Sequence, residues 1–574
     1  MRTALGMMLA AALSLSFAAP AIEVPEVADL AFRNGAVYRV DAARSWASAV
    51  AVEGDQVVYV GDDAGLEPFV GPGTRVIDLD GRMLLPGFQD SHLHPGTGMR
   101  LLQIDLQGVL DANEVIVRIE RYAAQRPEYA WIQGSGWEEA AFRPAGLPTR
   151  QLLDSAVNDR PAVLRSAGGQ AIWVNSRALE AVGITAATAD PPNGRIERDE
   201  RGEPTGVLSG SAIALVLRQL PQPSERVRLD GYRAALRLMG RNGITAMTNA
   251  SSSAQSEADF SQLAAAGELT VRSTHCQRFR REIDDEEQVG GFLERRARLP
   301  SVPGSPRATC IKIFLDGNMR SETAGMLRSY EGQPGDLGEV FVEPDRLARL
   351  LTRLDREGFQ VLIHAIGDRG VRRALDGFAA ARAANGPRGP RHTITHLALI
   401  DPADVPRFRQ LGVIANMTPH WGKGDGWLET TGTQSVGIER ARQMYAYKGL
   451  LGSGAHLVWG TDWGVSPIVP MEGIEAAVTR RYLGGRDAAG TVYEPWAPEE
   501  RVTLGQAIAS YTIFSAYLWS QEGTRGSIDV GKLADLVVLE SNLFDVPETE
   551  IHRVRADMTI FDGRVVFERD EASP

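Results

Sequence analysis

The sequence predicts an α/β protein: an elaborated (β/α)8 barrel, a small β-sandwich built from both chain ends, and an inserted subdomain over the barrel mouth. Three observations predict it. Apolar, strand-like runs alternate with amphipathic helical patterns across residues 86–519, as where the helical stretch 345–358 leads into 360–364 and 403–411 leads into 413–415. Repeated strand and helix units over that length call for a parallel sheet closed into a barrel. Short alternating strands with turn signals fill residues 29–85, and the same texture returns near the carboxyl end. Residues 100–225 are long for one barrel connection and contain loop-rich pieces such as Ala189-Asp190-Pro191-Pro192-Asn193-Gly194.

In chain order, residues 1–21 read as a secretory signal: Met1-Arg2, an apolar run to Phe17, then small-residue sites at Ser16-Phe17-Ala18 and Ala19-Pro20-Ala21. The run is shorter than the roughly 20 residues that span a bilayer, so the expected location is periplasmic or secreted. Residues 27–85 and 520–569 form the composite sandwich. Its expected strands cover 30–40, 48–60 broken at Gly54-Asp55, 74–85 broken at Asp80-Gly81, and the runs 536–539, 558–561 and 565–567. Residues 86–519 form the barrel, and 100–225 the insertion.

A chain of 574 residues exceeds one compact core, and 43% apolar with 23% charged residues is an ordinary globular composition. A net charge of -12 argues against nucleic acid and anionic membrane as default partners; the expected partner, from the site chemistry below, is a small-molecule substrate. The oligomeric state is open, with a homodimer as one option. Only Cys276 and Cys310 are available for redox chemistry, on adjacent candidate strands. Two buried thiols are the expectation, and a single bridge in an oxidising compartment is the alternative.

The stretch Leu84-Leu85-Pro86-Gly87-Phe88-Gln89-Asp90-Ser91-His92-Leu93-His94-Pro95 carries the chemistry. Alternate residues of an extended strand face one side, so His92 and His94 can reach one metal ion. Further donors end or enter short apolar, β-branched runs: Lys312, His364, His396 and Asp462. Barrel sites lie at the carboxyl ends of strands, where these polar residues fall. Imidazole with carboxylate suits a borderline divalent ion, zinc first. Lysine is a poor ligand as an ammonium, so Lys312 needs a separate explanation; pairing with a carboxylate such as Asp316, or simply lining the barrel, is one.

This order of donors resembles the amidohydrolase superfamily. The similarity is greatest to its amidohydrolase 3 (YtcJ-like) branch, which includes N-substituted formamide deformylases. Supporting segments are Gln133-Gly134-Ser135-Gly136-Trp137, Trp173-Val174-Asn175-Ser176-Arg177-Ala178-Leu179, residues 312–324, Gly367-Asp368 and Gly526-Ser527-Ile528-Asp529-Val530-Gly531-Lys532-Leu533-Ala534-Asp535. The resemblance implies two divalent ions bridged by carbamylated Lys312. His92, His94 and Asp462 would hold the first ion, and His364 and His396 the second. Asp462 would also take a proton from the attacking water and deliver it to the leaving nitrogen.

Two positions depart from the branch: Gln170 stands where a histidine is common, and Asn249 where an aspartate is. Trp137, Phe142, Trp421, Trp427 and Trp463 are candidates for an apolar substrate wall, Arg320 for a substrate carboxylate, and His420 for a substrate contact. His275 reads as structural. The expected activity is exported, metal-dependent hydrolysis of a non-peptide carbon-nitrogen bond. The alternatives are an ester, lactone or dipeptide hydrolase on the same site, or a non-catalytic regulator on the scaffold.

Overall fold

The computed structural model describes residues 27–143, 146–299, 306–487 and 490–570; the expected signal, 1–21, lies outside them. Eight strands form the barrel: β1 (Phe88–Leu93), β2 (Ile244–Ser252), β3 (Arg272–Arg278), β4 (Arg307–Phe314), β5 (Gln360–Ala365), β6 (Thr393–His396), β7 (Ile414–Met417) and β8 (Leu457–Trp459). They pair in sequence order and every pair is parallel. At the seam between β8 and β1, Ser91 Oγ donates to the Trp459 carbonyl at 2.5 Å and the Asp462 N–H to the His92 carbonyl at 2.7 Å.

Helices cover the outer face. In α1 (Pro344–Arg356), Leu347, Leu350, Leu351 and Leu354 are buried on one stripe, and Pro344 sits in the first turn, where a missing N–H leaves no bond unmade. Each leucine so buried contributes about 1.5–3 kcal/mol. Strand parity sorts the inner face. Ile311 and Ile313 of β4 join the outer core, whereas Cys310 packs inside with Ala250, Cys276 and Leu362. Lys312 therefore faces the lumen one step above Cys310. Phe514, Leu518 and Trp519 pack against Ile414 and Val458, and Gln360, first residue of β5, donates to the Leu518 carbonyl. These groups form the floor, at the amino-terminal ends of the strands.

The cysteines correct the expectation of two thiols: Cys276 and Cys310 form a disulfide. The register of β3 on β4 places them directly opposite each other on the lumen side, with Cα atoms 4.2 Å apart.

Strands from both chain ends share a six-stranded sheet, ordered Arg564–Glu568, Ala556–Phe561, Leu536–Leu539, Met83–Pro86, Ala36–Tyr38, Trp46–Ala47. It packs on a four-stranded sheet through Phe32, Val50, Leu84, Leu536 and Ile560. The expected single strand 30–40 is two strands in different sheets, Leu30–Arg33 and Ala36–Tyr38. The chain turns at Asn34, with φ 53°, and Gly35, where a Cβ would lie 2.2 Å from Leu79 Cδ1. The insertion has its own six-stranded sheet, from Ile104–Asp105 to Pro204–Gly210, with an apolar cluster against each face.

Candidate metal centre

His92 is on β1 and 2% exposed, while His94 follows the strand with its N–H on the Trp463 carbonyl at 3.0 Å. Asp462 lies just beyond β8, on the other side of the seam. Its Oδ1 is 3.1 Å from His94 Nε2 and 3.7 Å from His92 Nε2, and donor atoms of the three residues lie within 4.8 Å of one another. His396, at the end of β6, stands edge-on to His92 and to His364 of β5, with ring centroids 4.9 and 4.6 Å away. The structure thus brings His92, His94, His364, His396 and Asp462 together at the carboxyl ends of the strands, with Lys312 of β4 facing the same lumen.

Two of these residues hold left-handed backbone, Asp462 at φ 50° and His396 at φ 77°. Such conformations cost about 1–3 kcal/mol each in non-glycine residues and persist where surroundings over-determine them. Asp90 supplies part of that constraint. Its carboxylate accepts the N–H groups of His92 and Thr461 at 3.0 and 3.1 Å and the Thr461 hydroxyl at 2.5 Å.

Hydrogen bonds orient two of the imidazoles. Thr395 Oγ1 is 2.9 Å from His92 Nδ1 and 3.5 Å from Asn416 Oδ1, and Asn416 Nδ2 donates to the Ser91 carbonyl. With the threonine proton turned to Asn416, Oγ1 accepts from His92 Nδ1–H, and the Nε2 lone pair faces Asp462. His364 Nδ1 lies 3.1 Å from Asp316 Oδ1, whose carboxylate also accepts the N–H groups of Gly325, Ile366 and Gly367. Asp316 is therefore the partner of His364, and Lys312 is not paired with it.

Burial and the nearby Lys312 charge hold His92 well below the usual histidine range, and burial with the neighbouring His364 does the same for His396. Burial brings the Lys312 ammonium down to about 7 against the opposing pull of Asp462. Lys312 Nζ, His396 Nδ1 and Asp462 Oδ1 are buried without hydrogen-bond partners. Imidazoles and a carboxylate with donor atoms within 4.8 Å of one another, beside orphaned buried polar atoms, fit a bound cation.

The aromatic candidates divide. Trp421 stacks on His396 at 5.3 Å and donates its indole N–H to Ser466 Oγ at 2.6 Å, which places it at the site. His420 lies 3.5 Å from Glu472, and burial lowers its pKa to about 4. Trp137 is a correction: it is 1% exposed in the core of the insertion, edge-on to Phe142 and Trp173, with its indole N–H on the Leu164 carbonyl. Phe142 shares that core. Arg320 is exposed and makes no ion pair among the described residues. Gln170 is exposed in a turn of the insertion. His275 faces away from the lumen against Phe260, 3.4 Å from Asn249, so the Asn249 departure falls on the outer face.

Three contributors escaped the sequence reading: Thr395 and Asn416, which orient His92, and Asp90, which ties His92 to Thr461. Asp90 was findable by its place two residues before His92 on β1.

Residues 75–567 match the Amidohydrolase family. Relatives include Protein LONG AFTER FAR-RED 3 of Arabidopsis thaliana, 30% identical over 90% of this chain and 88% of that protein. Putative amidohydrolase YtcJ of Bacillus subtilis (strain 168) is 29% identical, covering 88% and 92%. N-substituted formamide deformylase of Arthrobacter pascens is 26% identical, covering 95% and 99%. Among solved structures, an uncharacterized metal-dependent hydrolase from Pyrococcus furiosus superposes with a TM-score of 0.70 at 24% identity, over 89% of this chain and 99% of that one. With the family match running from the sandwich through the barrel and back, the chain belongs to the amidohydrolase family.

Proposed function

We propose that this family member is an exported, metal-dependent hydrolase that cleaves a non-peptide carbon-nitrogen bond. The observation that carries the reading is the cluster of His92, His94 and Asp462 beside His364, His396 and an unpartnered Lys312. His92, His94 and Asp462 would hold one divalent ion, zinc first, and His364 and His396 a second. Such an ion lowers the pKa of water from about 15.7 to about 7 and polarises a carbonyl oxygen.

Asp462 would accept the proton of the attacking water and pass it to the leaving nitrogen, a role supported by its buried Oδ1 having no hydrogen-bond partner. Lys312, whose ammonium form is disfavoured by burial, can as the neutral amine add carbon dioxide at Nζ with loss of one proton. The resulting carbamate would give the two positions a shared anionic ligand. Trp421, flat against His396, walls the site on one side. Support for the bond type comes from the formamide deformylase relative, and support for export from the buried disulfide, which suits an oxidising compartment.

The test pairs elemental analysis with a panel of formamides, N-acyl compounds, dipeptides and lactones, before and after chelation. About two metal ions per chain, chelator-sensitive amide cleavage and a loss of several orders of magnitude in kcat for Asp462→Asn are expected. Full activity in Asp462→Asn, or no turnover after zinc and bicarbonate are supplied, would overturn the reading.

A further inference from the structure

Cys276 faces the barrel lumen, and Arg278 follows it by two residues, so Arg278 faces inward at the carboxyl end of β3. Its register partner on β4 is Lys312. The guanidinium rests on the ring of Phe314, 5.1 Å from the centroid; the same ring lies 5.1 Å from Lys312 Nζ and 5.3 Å from the His364 ring. Arg278 is exposed to the mouth and makes no hydrogen bond or ion pair among the described residues. A cation–π contact fixes the group while leaving its N–H donors free, which is the state of a residue awaiting a planar anion.

We infer that Arg278 binds a carboxylate of the substrate, so that the compound hydrolysed is an amide bearing a carboxylate near the scissile bond. The inference rests on the hydrolase reading above and names the substrate class of that site. Water adds its oxygen to the acyl carbon, the C–N bond breaks, and the nitrogen takes the proton; the carboxylate is untouched and serves as the handle. Arg278, next to Lys312 at the mouth, takes the role the sequence suggested for Arg320.

The experiment compares metal-loaded protein with its Arg278→Gln and Arg278→Lys variants on matched N-formyl and N-acetyl compounds, each as free carboxylate and as neutral carboxamide. Turnover is followed together with binding by calorimetry. The expected result is preference for the carboxylates, a KM about 10–100-fold higher for them in Arg278→Gln with kcat little changed, partial recovery in Arg278→Lys, and no change for the carboxamides. Equal use of both forms, or a preference that survives Arg278→Gln, would overturn the inference. Carboxylate binding that depends on Arg278 without any turnover would keep the anion subsite and sink the hydrolase reading. Neither binding nor turnover would sink both.

Discussion

Asp316→Asn tests how the second half of the site is held. Asp316 is 1% exposed, and its two oxygens face four donors: His364 Nδ1 and the N–H groups of Ile366, Gly367 and Gly325. An asparagine has one acceptor oxygen. With the amide nitrogen at Oδ1, it opposes the Ile366 N–H, and His364 must give up the Nδ1 proton, moving it to Nε2 and blocking that atom as a ligand. With the nitrogen at Oδ2, it opposes the N–H groups of Gly325 and Gly367, and Ile366 loses its second contact. The second orientation leaves two buried donors without partners at about 1–3 kcal/mol each, about 2–6 kcal/mol of stability, whereas the first keeps Ile366 on the remaining oxygen and its cost falls on the His364 tautomer. Metal affinity at the His364 position should fall about 10–100-fold. Urea unfolding measures the first and zinc titration with elemental analysis the second. Unchanged midpoint and unchanged stoichiometry would refute the assignment of Asp316 as the anchor of His364.

Trp137→Phe should lower stability by about 1–3 kcal/mol, through the lost indole bond to Leu164 and the unfilled volume, while kcat/KM stays at the wild-type value; a specific loss of substrate binding would restore Trp137 to the pocket. His275 predicts an acid sensitivity. Burial lowers its pKa from 6.5 to about 3, so the unfolded chain takes up a proton below pH 6.5 that the folded one refuses. Its contribution is complete above pH 6.5 and is lost as pH falls toward 3, at up to about 1.4 kcal/mol per pH unit. His275→Asn should flatten unfolding free energy against pH in that window, and an unchanged slope would contradict it.

The parts of this protein that follow from local pattern were legible. A two-residue period put His92 and His94 on one side, and apolar runs ending in a polar residue marked the barrel strands that carry Lys312, His364 and His396. Contacts made across the barrel were not legible. Nothing local ties Thr395 to His92, 303 positions away, or Asp316 to His364 rather than to Lys312 four residues before it. Trp137 shows the opposite failure. It follows a glycine-rich segment that resembles a site loop, yet the next strand of the insertion takes its indole N–H and the ring turns into a core. The disulfide required the register of β3 on β4, which two isolated cysteines do not reveal. The break at Asn34-Gly35 was hidden because residues on both sides of it keep strand character while changing sheets.

The free energy that holds the site together comes from outside it. Two donors sit on left-handed backbone, and three buried polar atoms lack partners, so the cluster taken alone is unfavourable by several kcal/mol. Asp90 offsets this by binding the backbones of β1 and of Thr461 at once, beside the bond from Asp462 N–H to the His92 carbonyl. The seam where the barrel closes is thus where His92 and Asp462 are brought face to face. A disulfide joins β3 to β4 one layer beneath Lys312, and Asp316 locks the turn after β4 to the end of β5. Each strand that offers a donor is braced by a contact that no ligand makes. A cation entering this arrangement meets donors already in place, so its binding free energy is not spent on ordering them, which is the physical content of preorganisation.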